Sequence, residues 1–201
     1  MKIIFAGTPK FAAEHLSILL QGKHEIVAVL TQPDRKSGRG KKISFSAVKE
    51  VALKNNLKVL QPVSLKGSEI QENLSNLEPD IVLVVAYGLL VPKSVLDLPE
   101  LGCINIHASL LPRWRGASPI ESCIAAGDSE SGITMMKMSE GLDEGPILRK
   151  FVCDLDEKET LGTLENKFVG MSSENLLQFL KDYENKKINE VLQPTTGSTY
   201  A

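Results

Sequence analysis

Short apolar runs alternate along the chain with longer segments in which apolar residues recur at helical spacing. The apolar runs predict buried strands over Lys2 to Gly7, Glu25 to Gln32, 58–62, Asp80 to Gly88, 103–109, 132–138 and 146–155. The helically spaced segments cover about 9–21, 45–56, 68–77, 117–126 and 160–186. Near-continuous apolar strands separated by helices are typical of a parallel sheet covered on both faces. We therefore predict a doubly wound α/β fold whose functional loops lie at the carboxyl ends of its strands.

Composition narrows the class of protein. The 201 residues are 42% hydrophobic and 24% charged, which is typical of a globular chain long enough for one substantial α/β domain. The net charge of −2 does not by itself favour a polyanionic partner, so any such partner must be bound by a local patch. The three cysteines are widely spaced and indicate a reducing compartment. Because no apolar stretch approaches roughly 18 residues, we expect a cytoplasmic protein.

The end of the first predicted strand, FAGTPKFA, carries one glycine and not the spaced glycines of a dinucleotide-binding loop. We predict that Gly7 makes a tight turn, that Thr8 caps the next helix and that Pro9 is its first residue. Patterns for a phosphate-binding loop and for a serine nucleophile elbow are absent from the sequence. His15 and His24 are expected at surface positions without a ligand partner, so no metal site is expected.

The strand CINIH places an asparagine and a histidine two residues apart. Because side chains alternate along a strand, Cys103, Asn105 and His107 are predicted to share one face. These polar groups could simply pair in the core, but the carboxyl end of a parallel strand is where this architecture binds its ligands. An amide and an imidazole side by side can stabilise the oxyanion that forms when a carbonyl is attacked, and the imidazole can exchange a proton.

Such an imidazole needs a carboxylate to orient it and to favour its protonated form. The loop SEGLDEGPI offers Glu140, Asp143 and Glu144, and the residues by themselves do not distinguish among the three. Acidic loop residues are otherwise most often solvated.

The sequence resembles the folate-dependent formyltransferase family. The resemblance is carried by NIHASLLPRWRGASPI (105–120) and GITMMKMSEGLDEGPIL (132–148), and it extends to IIFAGTPKFAAEHL, TQPDRKSGRGKK and VVAYGLLVPKSVL. It implies a Rossmann-like, mostly parallel sheet with helices on both faces and no dinucleotide. It also implies that the catalytic groups are Asn105, His107 and Asp143. The residues implied to bind tetrahydrofolate are Ser109, Leu110, Leu111 and Pro112, with Ala86, Tyr87, Gly88 and Leu89 near the pterin.

The resemblance is strongest to the members that act on initiator tRNA. It implies transfer of a formyl group from 10-formyltetrahydrofolate to the α-amine of methionine on that tRNA, at the start of translation, without a metal. Other relatives formylate glycinamide ribonucleotide or an amino-sugar nucleotide, or hydrolyse formyl-folate, and these acceptors remain alternatives.

Two hypotheses in which the protein is not an enzyme have less support from the sequence. A nucleotide-binding module would need a phosphate-binding loop, and the sequence has none. An inactive RNA-binding relative would keep the basic segment but lack one of the three catalytic groups, and all three are present.

Two local features favour tRNA. The segment DRKSGRGKKIS is predicted to be a mobile basic loop, either merely solvated or bound to an RNA backbone. Trp114, between two arginines, is suited to stacking on an unpaired base, or else is a packing residue. The residues predicted to bind tRNA are Arg35, Lys36, Arg39, Lys41, Lys42, Arg113, Trp114 and Arg115.

We expect a catalytic domain over residues 1–190 and the start of an interdomain linker at 191–201, because the tail QPTTGSTYA is small and polar. The β-rich C-terminal domain that the resemblance implies is not in this sequence. We further expect a monomer.

Overall fold

Parallel strands form the sheet of the first half of the chain. The computed structural model describes residues 1–37 and 42–201, which divide into two units, Met1–Cys103 and Ile104–Ala201. The elements of the first unit are β1 (Lys2–Gly7), α1 (Lys10–Leu19), β2 (Glu25–Leu30), β3 (Arg35–Ser37), β4 (Lys42–Ser44), α2 (Ala47–Lys54), β5 (Val59–Leu60), α3 (Ser68–Ser75), β6 (Ile81–Val85) and α4 (Lys93–Leu96). In this unit the parallel strands lie in the order β5-β2-β1-β6.

The core of this unit is built from the predicted apolar runs. Every residue of β6 is buried, and Ile3, Ile4 and Phe5 of β1 have no exposed surface. Helix α1 packs on β1 and β6 through an apolar stripe, and α2 packs on β2 and β5. β6, and β1 from Ile3 onward, have no polar face because helices and neighbouring strands leave them little contact with water.

The turn after β1 depends on the absence of a side chain. A Cβ atom on Gly7 would lie 2.6 Å from the Cβ of Ala12 and 2.8 Å from the carbonyl oxygen of Val85. The predicted cap at Thr8 is wrong. Pro9 is the extended residue before the helix, and the Thr8 hydroxyl donates instead to the main-chain oxygen of Tyr87 at 2.9 Å.

The predicted surface position of His15 is also wrong, whereas His24 is partly exposed. The His15 side chain is fully buried in α1, and its Nδ1 lies 2.7 Å from the main-chain oxygen of Phe11. Burial lowers the pKa of His15 to about 4, so this imidazole is neutral at physiological pH. The four-residue spacing between Phe11 and His15 puts both rings on the buried face of the helix.

The predicted basic loop contains short strands. β3 and β4 pair antiparallel, with Arg35 opposite Ser44 and Lys36 opposite Ile43. Arg39 and Lys41, both predicted to bind tRNA, lie outside the described residues. Among the helices that the structure describes, none is long and apolar enough to cross a membrane.

Antiparallel strands and one long helix form the second unit. Its elements are β7 (Cys103–His107), which starts at the boundary, α5 (Pro119–Ala126), β8 (Glu130–Lys137), β9 (Ile147–Asp154) and α6 (Leu161–Glu184). β8 pairs antiparallel with both β7 and β9. The β8–β9 pair corresponds to the two strands predicted on either side of the acidic loop. Helix α6 packs on α5 and β8, and its Leu164, Phe168 and Leu176 have no exposed surface.

The residues after α6 return along this second unit. Val191 exchanges two main-chain hydrogen bonds with Ile147 at the start of β9, and Tyr200 forms a parallel bridge with Arg115. The segment predicted as the start of a linker therefore makes defined main-chain contacts.

Candidate active site

The carboxyl end of β7 presents Asn105 and His107 toward the same carboxylate. Asn105 is half-buried, and the His107 side chain is 5% exposed. On the neighbouring strand β8 their partners in register are Met136 and Thr134. The two-residue spacing predicted a shared face, and the common contact with Asp143 shows that both side chains point that way.

The carboxylate of Asp143 is held by three groups. Its Oδ1 accepts a hydrogen bond from Nδ2 of Asn105 at 3.2 Å, and its Oδ2 accepts one from the main-chain N–H of Gly116 at 2.9 Å. The same Oδ2 lies 3.6 Å from Nδ1 of His107. Asp143 has a φ of +50°, an uncommon conformation for a residue with a side chain. It is thus Asp143, among the three acids of the loop, that the fold brings to the asparagine and the histidine.

The other two acids have different surroundings. Glu144 pairs with Arg115, whose Nη1 lies 3.2 Å from the Glu144 carboxylate. Glu140 is exposed. Sequence spacing alone could not make this choice because all three acids lie within five positions of one loop.

The orientation of the His107 ring is set by the main chain. Its Nε2 lies 2.7 Å from the carbonyl oxygen of Trp114. A carbonyl oxygen can only accept, so Nε2 carries a hydrogen and donates it. Consequently Nδ1 is the nitrogen that faces Asp143 and is left to gain or lose a proton.

Thr134 fixes the loop that follows β7. The fully buried Thr134 hydroxyl donates to the main-chain oxygen of Ser109 at 2.6 Å and accepts from the N–H of Leu111 at 3.1 Å. The Ser109 hydroxyl in turn donates to the main-chain oxygen of Arg113 at 2.6 Å. These bonds close the loop into a compact turn, and Ser109 and Leu111 are buried within it.

The outer side of this loop borders a cavity of about 500 Å³. Leu110, Leu111 and Pro112, three of the residues implied to bind folate, contribute to its wall. The remaining lining residues are Arg113, Trp114, Asp128, Ser129, Glu130, Ser131, Lys150 and Val152. A volume of this size is within the range of small-molecule pockets.

The other segment implied to bind folate, Ala86 to Leu89, belongs to the first unit. Ala86 and Gly88 have positive φ values of 44° and 80°. The Tyr87 main-chain oxygen accepts from Thr8 and from Gln32, which fixes this turn after β6. Burial raises the pKa of Tyr87 to about 12, and its hydroxyl has no hydrogen-bond partner among the described residues.

The residues predicted to bind tRNA fall into two groups. Arg113 forms two hydrogen bonds to Asp128, of 2.9 and 2.6 Å, and its guanidinium lies 4.3 Å from the Trp114 ring centre. The Trp114 indole also donates to Asp128, at 2.7 Å, and these donors hold the pKa of Asp128 below its usual range. Arg115 is buried, with its guanidinium bonded to Glu144 and Gln193. All three side chains thus have internal partners in the second unit.

The second group is the basic segment of the first unit. The Arg35 guanidinium donates to Gln32 at 2.6 Å, while Lys36 and Lys42 lie on β3 and β4. With Arg39 and Lys41 outside the described residues, binding of tRNA by this segment stays a prediction.

Several residues of the site were not predicted. The Trp114 carbonyl, Gly116, Thr134 and Gln193 all act through hydrogen bonds to or from the main chain. The glycine directly after RWR could have indicated a turn at residue 116, because Gly116 has a φ of +112°. Gln193 lies in a polar tail whose composition gave no sign of a contact with the acidic loop.

Comparison with solved structures defines the class of fold. Glycinamide ribonucleotide transformylase 1 from Symbiobacterium toebii is 16% identical with a TM-score of 0.77, covering 95% of this chain and 94% of that chain. An N-formyltransferase from Helicobacter canadensis, solved with folinic acid and dTDP-3-aminofucose, is 20% identical with a TM-score of 0.75, covering 100% of this chain and 70% of that one. The predicted Rossmann-like α/β class is confirmed by this likeness.

Sequence comparison shows the family. Residues 1–180 match the family described as formyl transferase, and the chain belongs to that family. A curated methionyl-tRNA formyltransferase from Pseudomonas fluorescens is 50% identical over 201 residues, which are 100% of this chain and 63% of that protein. The chain thus spans a little under two thirds of the length of this relative. The resemblance found in the sequence motifs is confirmed at the level of the family.

Proposed function

We propose that this chain transfers a formyl group from 10-formyltetrahydrofolate to the α-amine of methionine on initiator tRNA. The observation that carries formyl transfer is the Asp143 carboxylate, which joins Asn105 to His107 at the carboxyl end of β7. The choice of acceptor is supported by the name of the relative that is 50% identical over the whole chain.

The reaction exchanges one carbon–nitrogen bond for another. The methionine amine attacks the formyl carbon, a tetrahedral oxyanion forms, and the bond from that carbon to N10 of the folate breaks. The amine nitrogen loses one proton and N10 gains one, so the products are formyl-methionyl tRNA and tetrahydrofolate. The site must therefore stabilise one negative oxygen and move one proton.

Asn105 and His107 supply the hydrogen bonds to the oxyanion. One hydrogen of the Asn105 amide is donated to Asp143, which leaves the second for the substrate oxygen. His107 donates through Nδ1 when protonated, because its Nε2 is held by the Trp114 carbonyl. A single donor of this kind is worth about 10²–10³ in rate.

Asp143 stabilises the protonated imidazole and directs proton movement. Its Oδ2 lies 3.6 Å from Nδ1 of His107, and the bonds that it accepts from Asn105 and Gly116 hold the carboxylate in that position. We assign Asp143 the role of stabilising the protonated form of His107 and of relaying the amine proton through a water.

Two segments are assigned to the folate co-substrate. Ser109, Leu110, Leu111 and Pro112 form the loop after β7, and the last three border the cavity of about 500 Å³. Ala86, Tyr87, Gly88 and Leu89 form the turn after β6. The solved N-formyltransferase with folinic acid supports a formyl-folate as the donor.

The tRNA is assigned to the basic segment around β3 and β4, with Arg113 and Trp114 as further contacts. Phosphate contacts by such a segment would supply most of the affinity for RNA. The proposal places the catalytic domain at residues 1–190, the start of a linker at 191–201, and a monomeric protein in the cytoplasm.

A direct assay distinguishes the acceptors. The purified chain receives labelled 10-formyltetrahydrofolate together with initiator methionyl-tRNA, glycinamide ribonucleotide or an amino-sugar nucleotide in parallel reactions. Label is expected on the tRNA alone, and a reaction without protein serves as the blank. Label on a small amine in place of the tRNA would overturn the acceptor, and no transfer to any of the three would overturn the activity.

A further inference from the structure

We propose that the segment Val191–Ala201 positions the two partners of His107, through Gln193 and Thr199. The inference rests on the proposed function in assigning catalysis to His107 and Asp143. The segment was predicted as the start of a linker, and the proposal adds a positioning role within the site.

Gln193 joins the acidic loop to Arg115. Its Nε2 donates to the main-chain oxygens of Asp143 at 2.7 Å and Gly145 at 2.9 Å. Its Oε1 accepts from Nε of Arg115 at 3.2 Å and from Nη2 at 2.9 Å. One side-chain amide thus connects the backbone on both sides of residue 144 to the guanidinium of a buried arginine. Because every hydrogen-bonding site of the amide is used, its position and that of Asp143 are fixed together.

Thr199 fixes the backbone that holds His107. Its hydroxyl accepts from the N–H of Trp114 at 2.9 Å, and its main-chain oxygen accepts from the N–H of Arg115 at 2.8 Å. Trp114 is the residue whose carbonyl accepts the hydrogen bond from Nε2 of His107. The N–H of Ala201 adds a bond of 2.7 Å to the Arg115 oxygen. Thr199 therefore acts on His107 through one peptide unit.

The residues held in this way have backbone conformations that need support. Trp114 has a φ of +60° and Asp143 a φ of +50°, and such conformations are unfavourable for residues with a side chain unless the surroundings maintain them. The hydrogen bonds from Gln193 and Thr199 fall on these same two residues. Without them, relaxation of either backbone would move a partner of His107.

The segment is itself anchored before it reaches the site. Val191 exchanges hydrogen bonds of 2.7 and 2.9 Å with Ile147, and the neighbouring Glu190 pairs with Lys137 at 2.7 Å. These contacts fix the start of the segment on the hairpin that carries the acidic loop. Gln193 is thus presented by main-chain pairing only two residues away.

Kinetics of matched variants test the positioning role. Gln193→Met and Thr199→Val keep side-chain size and remove the hydrogen bonds, while Gln178→Met on α6 and Thr196→Val on the exposed part of the segment are the controls. We expect kcat to fall by about 10- to 100-fold in the first pair with less than a twofold change in KM for the folate. Both controls should stay within twofold of wild type. Thermal melting by circular dichroism reports whether each variant folds.

A double variant separates positioning from general destabilisation. If Gln193 acts through Asp143, Gln193→Met added to Asp143→Asn should lower kcat less than threefold further. A loss that multiplies in full, or a Gln193→Met protein as active as Gln178→Met, would overturn the proposal.

Nuclear magnetic resonance of the imidazole nitrogens tests the proposal without activity. Thr199→Val should shift the Nε2 signal of His107 and leave that of His24, in the first unit, in place, whereas Thr196→Val should shift neither. An unchanged His107 signal in folded Thr199→Val would refute the assignment. A wild-type chain that transfers no formyl group would refute the proposed function, and the nitrogen signals would still decide this inference.

Discussion

The Nε2 atom of His107 lies 2.7 Å from the main-chain oxygen of Trp114, so the ring is held by backbone on one side and faces Asp143 with the other. This arrangement makes Nδ1 the nitrogen that exchanges a proton during the proposed reaction. It also makes the imidazole orientation depend on the path of residues 112–117 rather than on the Trp114 indole, which binds Asp128.

His107→Ala and Asp143→Asn are expected to lower kcat by about 10²- to 10⁴-fold, since each removes a group that stabilises charge or moves a proton. Asp143→Asn keeps the shape of the side chain, so the loop should hold its conformation. Single-turnover formylation measures the effect, and Asp154→Asn, an exposed acid at the end of β9, is the control. Near-normal turnover by a well-folded His107→Ala protein would remove the basis of the assignment.

Thr134→Val is expected to destabilise the protein by about 1–3 kcal/mol, because it leaves the buried oxygen of Ser109 and the N–H of Leu111 without the Thr134 hydroxyl. Thr134→Ser keeps that hydroxyl and should be destabilised less. Urea unfolding gives the free energies of both variants. Equal destabilisation in the two would show that the methyl group matters and the hydroxyl does not.

Gly116→Ala should cost more stability than Gly127→Ala, although both glycines have positive φ, of 112° and 68°. A Cβ at residue 116 would lie 2.5 Å from the Ala201 oxygen, whereas one at residue 127 meets no atom within 4 Å. We expect about 1–2 kcal/mol for Gly127→Ala and a larger destabilisation for Gly116→Ala. Only Gly116→Ala should also lower kcat, since the Gly116 N–H binds Asp143. Thermal melts and formylation assays on the same preparations check both statements.

Replacing Arg39 and Lys41 by alanine should raise KM for tRNA and leave KM for the folate unchanged. The slope of log KM against log salt should fall by about 1 for each phosphate that the protein no longer binds. A Lys54→Ala, Lys58→Ala protein has the same change in charge at exposed positions and is the control. If both double variants behave alike, the basic segment has no specific part in binding tRNA.

Stability should fall with decreasing pH in a way that depends on His15. Its pKa is lowered from 6.5 to about 4 in the fold, so below pH 6.5 the unfolded chain binds a proton that the folded chain does not. The stabilisation is complete above pH 6.5 and disappears as the pH falls toward 4, on the order of 3 kcal/mol in all. Unfolding free energies of wild type and His15→Leu between pH 7 and 4 measure this change. Parallel curves for the two proteins would contradict it.

Much of the fold follows from local pattern. The apolar runs predicted where β1, β2, β6 and β7 lie because a buried strand needs nearly every position apolar. The same logic failed for His15, whose imidazole is polar by type but lies on the buried stripe of α1 and bonds to the preceding turn. It also missed β3 and β4, since a short ladder of polar residues has no apolar signature.

By itself the sequence determined that Asn105 and His107 share a face, because alternation along a strand needs no knowledge of the rest of the chain. The choice of Asp143 over Glu140 and Glu144 did not follow from residue spacing and was implied by the family resemblance, and the tertiary structure brings Asp143 to both groups. Only the tertiary structure decided that Trp114 and Gln193 supply the supporting bonds. Those partners are main-chain groups or long-range contacts. Every residue carries the same main-chain groups, so which of them meet depends on the path of the folded chain and not on residue type.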